Sequence, residues 1–69
     1  MIYNISGHIL LNVLRNQSSE FLLALRLDGP GPLTEAYIDR VIQERVTAGE
    51  LSPEKLSKIV SQEIQERVK

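Results

Sequence analysis

Few side chains in this 69-residue chain could do acid–base or covalent chemistry, and their spacing argues against it. His8 is the only imidazole and there is no cysteine. A nucleophile needs a base within reach, and a working histidine needs an acidic neighbour to tune it. Asn12 follows His8 by one helical turn, but an amide cannot take up a proton. Glu35 and Asp39 form an acidic pair at four-residue spacing, which on a helix N-terminal face reads as solvated charge rather than as a cation site. Gly29-Pro30-Gly31-Pro32 lacks the lysine and the free amides of a phosphate loop. Asn4-Ile5-Ser6 and Asn16-Gln17-Ser18 match the glycosylation pattern, which has no consequence without a secretory signal. The expectation is a non-enzymatic protein with no catalytic, cofactor-binding or metal-binding residues.

Nucleic-acid binding is the second chemistry to weigh. Eight basic and nine acidic residues leave a net charge of −1, which removes the simplest electrostatic attraction to phosphate. The segment 34–69 nonetheless resembles a helix-turn-helix in outline, with two helical patterns joined through Gly49. Its basic candidates are Arg40, Arg45, Lys55 and Lys58, spread over two helices so that only folding could gather them. Glu54, Glu63 and Glu66 interleave with the lysines and would repel a phosphate backbone, and Glu50 follows Gly49 where such a turn commonly holds an apolar anchor. A regulator that reads nucleic acid through these residues is the alternative reading.

The elements that must position these groups follow from periodicity. Residues Met1 to Leu33 hold sixteen apolar side chains but only four charges, whereas Thr34 to Lys69 hold thirteen of each. Gly29 to Pro32 marks the seam within one helical domain over 1–69. Thr34 is expected to cap the third helix, with Glu35 in its first turn and Leu33 stapled to Ile38. Tyr37, Ile38, Val41, Ile42 and Val46 share one face, and Gly49 is expected to close the helix. Ser52, Pro53 and Glu54 open the fourth helix, with Leu51 and Leu56 as its staple. Leu56, Ile59, Val60, Ile64 and Val68 form its stripe, and Glu54–Lys58 and Glu63–Arg67 are favourable four-spaced pairs. Ile42-Gln43-Glu44-Arg45-Val46 recurs as Ile64-Gln65-Glu66-Arg67-Val68. The flanking residues do not align, so chance recurrence in two amphipathic helices is the reading preferred to a repeat.

The first half admits two readings. Ile5, Ile9, Leu10, Val13 and Leu14 fit helical spacing. After the break at Asn16 to Ser19, Phe21, Leu22, Leu25 and Leu27 line a short second helix ending at Asp28-Gly29. The rival is a β-hairpin with strands His8–Arg15 and Glu20–Leu27, giving an α+β chain. Leu and Ala dominate the second segment and no β-branched residue occurs in it, which favours helix. The expected fold is therefore an all-α bundle of about four short helices.

So small a core contributes only about 3–5 kcal/mol, and no disulfide reinforces it. Large apolar side chains stand on several sides of the N-terminal segments, and a helix apolar all round belongs inside something. Ile9, Leu10, Val13, Phe21, Leu22 and Leu25 are the candidate interface or core residues. The expectation is a cytoplasmic homodimer that acts through protein–protein contacts. A membrane is not an expected partner, because the N-terminal half lacks the basic polar face that lipid headgroups attract.

Overall fold

The computed structural model describes the backbone of residues 2–68 and the side chains of residues 9–68. Among the described residues there are four helices and no strand: α1 (Ile2–Arg15), α2 (Ser19–Leu27), α3 (Pro32–Thr47) and α4 (Pro53–Arg67). The hairpin reading of 8–27 thus gives way to two helices. Ser18 shows why, since its hydroxyl accepts from the Phe21 amide at 3.1 Å and its carbonyl from the Leu22 amide at 3.0 Å. One residue starts the helix with both side chain and backbone, where a β-turn would have to reverse the chain.

Ser52 starts α4 in the same way, accepting from the Lys55 amide at 3.1 Å with Pro53 at the first helical position. At the end of α3, Gly49 takes φ +78 as expected of the residue past a helix terminus. The start of α3 differs from expectation. The helix begins at Pro32 rather than after Thr34, and Gly31 at φ 115 is its unassisted N-cap. The ring of Pro32 presets helical φ and needs no hydrogen-bond partner, so the helix extends back to it. Leu33 is consequently 62% exposed in the first turn and no staple to the fully buried Ile38 forms.

Ion pairs and caps define the packing directions. Arg26 near the end of α2 meets Glu35 and Asp39 at the start of α3, and Arg45 at the end of α3 reaches Ser19 at the start of α2. The two helices are therefore antiparallel. Arg67 at the end of α4 meets Asp28 at the end of α2, and Glu20 shares a surface groove with Lys55 and Lys58, so α4 runs parallel to α2. α1 packs on α3 with their C-terminal ends together, joined by Arg15 and Glu44. The core comprises Leu11 and Leu14 from α1, Leu22 and Leu23 from α2, Ile38, Val41 and Ile42 from α3, Leu51 from the last turn and Ile59 from α4.

The outline is flat, 41 × 30 × 16 Å, with a radius of gyration of 12.8 Å, against about 11 Å for a compact chain of this length. Its accessible surface is 5008 Å², where a monomer of 7.8 kDa ordinarily exposes about 4,400 Å². Truncating the centre should cost far more than truncating the rim. Leu22→Ala or Ile38→Ala should lower unfolding free energy by about 2–5 kcal/mol, while Leu33→Ala should stay within about 0.5 kcal/mol, as read by urea titration of the helical circular dichroism signal.

Candidate interaction surface

Three arginines organise the polar surface. The Arg45 guanidinium donates to Ser19 Oγ at 2.9 Å, to the Arg15 carbonyl at 3.0 Å and to the Gln17 carbonyl at 2.6 Å. Carbonyls at a helix end lack intrahelical donors and carry partial negative charge, so a planar cation with several N–H groups satisfies them well. Arg67 grips the end of α2, donating at 2.7 Å to the Ala24 carbonyl, which also accepts from the Asp28 amide at 3.2 Å, and pairing with the Asp28 carboxylate. Arg26 lies between Glu35 at 3.3 Å and Asp39 at 3.0 Å. That acidic pair thereby shares one cation from a neighbouring helix, and among the described residues no group of three metal-ligating side chains comes together. His8 lies outside the residues whose side chains are described.

The four basic candidates for nucleic acid do not share a face. Arg45 is half-buried and turned onto the α1–α2 corner. Arg40 stands 3.6 Å from Glu44 on α3, while Lys55 and Lys58 flank a groove that also holds Glu20 and Glu54. The missed feature is the arginine pattern. Its one visible signal is the repeated Ile-Gln-Glu-Arg-Val, whose two arginines each fasten the C-terminal end of an earlier helix.

The apolar candidates divide differently. Leu22 is fully buried, and Leu10 and Leu25 pack against the core. Ile9, Val13 and Phe21 are 56%, 47% and 50% exposed. The buried side of α1 is carried by Leu11 and Leu14 instead, because α3 approaches from that direction. A second apolar group gathers where α2 ends, α3 begins and α4 ends: Leu27, Leu33, Ile64 and Val68 are all exposed. Among the described residues no helix is long and apolar enough to cross a membrane. No protein family, curated protein or solved structure matches this chain.

Two substitutions test the polar framework. Arg45→Gln removes a cation from three acceptors and should destabilise the fold by about 1–3 kcal/mol, whereas Lys58→Ala should change it by less than about 0.5 kcal/mol in the same urea titration. Glu44 has its carboxyl pKa lowered, first by the hydrogen bond from Arg15 and then by the charges of Arg15 and Arg40, with desolvation opposing them. A carboxyl depressed in the folded state stabilises above its unfolded pKa, and that contribution disappears as pH falls through the folded value. Wild type and Glu44→Gln should therefore differ slightly in melting temperature at neutral pH and converge below the carboxylate range.

Proposed function

We propose that this chain is a non-enzymatic interaction protein that self-associates through its apolar N-terminal half and acts through protein–protein contacts. The observation that carries this reading is the exposure of Ile9, Val13 and Phe21 on a chain whose surface exceeds the monomer norm by about 600 Å². Scattered single apolar side chains are ordinary on a protein surface. Here they are large, they fall on two consecutive helices, and the molecule is thin enough that no further layer covers them. Closed two-fold dimers are the commonest solution to such a surface, since one patch then covers itself. Arg26 holds Glu35 and Asp39 in ion pairs, so the acidic pair of α3 serves a contact between helices.

Sedimentation velocity over a range from low micromolar to high micromolar concentration measures this directly. A concentration-dependent species of twice 7.8 kDa is expected. Phe21→Glu should shift it toward the monomer without reducing helicity, because this side chain is half in solvent already. A single 7.8 kDa species at every concentration would refute self-association.

A further inference from the structure

The end of α2 is the dipeptide Asp28-Gly29, which has its own chemistry. The side-chain carboxyl carbon of an aspartate can be joined by the nitrogen of the next residue in a succinimide ring. Glycine presents the least hindered nitrogen, because it has no side chain and turns freely. Gly29 lies at φ +71 in open space, and the Asp28 side chain is 58% exposed. Two contacts hold the pair out of reaction. Asp28 has φ −74 and ψ −10, and the Gly29 amide donates to the Arg26 carbonyl at 3.3 Å. Ring closure turns ψ until this nitrogen comes over the side chain, which breaks that hydrogen bond. The carboxylate is also drawn toward α4 by Arg67, whose guanidinium donates to the Ala24 carbonyl at 2.7 Å as well. Among the described residues, Arg67 is the one α4 side chain with a hydrogen bond or ion pair to another helix. A single contact thus fastens the end of α4 and keeps the Asp28 carboxyl away from Gly29.

We propose that Asp28-Gly29 is a site of spontaneous isomerisation to isoaspartate, restrained by Arg67, and that the modified chain loses its hold on the end of α4. The Gly29 nitrogen attacks the carboxyl carbon of Asp28 in its acid form. A C–N bond forms, a C–O bond breaks, and the hydroxyl leaves with the nitrogen's proton as water. Water then adds back to the succinimide. Opening at the side-chain carbonyl restores aspartate, whereas opening at the main-chain carbonyl gives isoaspartate, whose backbone runs through Cβ and Cγ. Composition is unchanged and no co-reactant besides water is needed. The backbone has gained a methylene and the carboxylate now sits directly on Cα, so the anion is withdrawn from Arg67. What still holds α4 is apolar: Leu56, Ile59 and Val60 pack into or against the core, and none of them lies in its last two turns. Opening of the Arg67 contact is therefore both what admits the reaction and what the reaction makes permanent.

The test is incubation of the whole chain at physiological temperature and neutral pH, followed by tryptic digestion. Peptide Leu27–Arg40 carries the site, and its isoaspartyl form separates chromatographically at unchanged mass. Wild type should accumulate isoaspartate at position 28, and Arg67→Gln at least about threefold faster. Arg45→Gln loosens the fold at the opposite end of α2 and leaves Arg67 in place, so it should accelerate the reaction less. Should Arg67→Gln lose its helical circular dichroism, Arg67→Lys answers the same question, since an ammonium keeps the charge but not the two-armed grip. In the purified isoaspartyl chain, the NMR amide resonances of Ile64 to Arg67 should move toward random-coil positions while those of α3 stay. No isoaspartate at position 28 in wild type and Arg67→Gln overturns the site. Equal acceleration by Arg45→Gln and Arg67→Gln overturns the restraint, and unmoved α4 resonances overturn the consequence.

Discussion

A nine-residue helix cannot hold itself together in water, and the whole molecule is arranged around one. Nucleating a helix fixes several residues for a single hydrogen bond, so pieces under about twelve residues depend on what they pack against. α2 is such a piece, and it supplies the shared surface on which both α3 and α4 lie. Leu22 has no exposure at all, and Ile38 and Val41 on α3 are almost equally enclosed. The short helix is stable because the core needs it, and the core exists because the short helix has apolar residues on adjacent sides, Leu22 and Leu23.

Electrostatics follows from the same arrangement. Where helices end against one another, carbonyl oxygens are exposed at their C-terminal ends, and the chain meets them with guanidinium groups carried at the ends of α3 and α4. Arg45 and Arg67 act locally as caps supplied by another element. Arg26 performs the complementary task at the start of α3, where two carboxylates would otherwise face each other across one helical turn. The ion pairs lie at the surface, so each contributes little by itself, and their value is in fixing which helix ends meet.

Local stereochemistry was legible in the sequence. Ser52 and Gly49 stand at the termini where side-chain capping or a left-handed residue requires them, the break over Asn16 to Ser19 holds the cap of α2 at Ser18, and the face formed by Ile38, Val41 and Ile42 is the one buried. Thr34 misled because a hydroxyl followed by an acid imitates a cap, while the proline two residues earlier had already set the helical angle. The buried side of α1 was not legible. Ile9, Leu10, Leu11, Val13 and Leu14 span about 200° of its circumference, so only the direction from which α3 arrives decides that Leu11 and Leu14 go inside. The work of Arg45 was hidden for another reason, because its acceptors are main-chain carbonyls and those have no sequence signature. A basic residue among acidic neighbours on an amphipathic helix looks solvated until the end of another helix is placed beside it.

α4 has one buried side chain, Ile59, with Leu56 and Val60 packed partly against the core, and its last turn is held by the Arg67 grip on α2. α3, by contrast, has three enclosed side chains and neighbours on two sides. Opening of α4 therefore exposes less of the core than opening of α3, and its amide protons should trade with deuterium before those of α3, which wait for global unfolding.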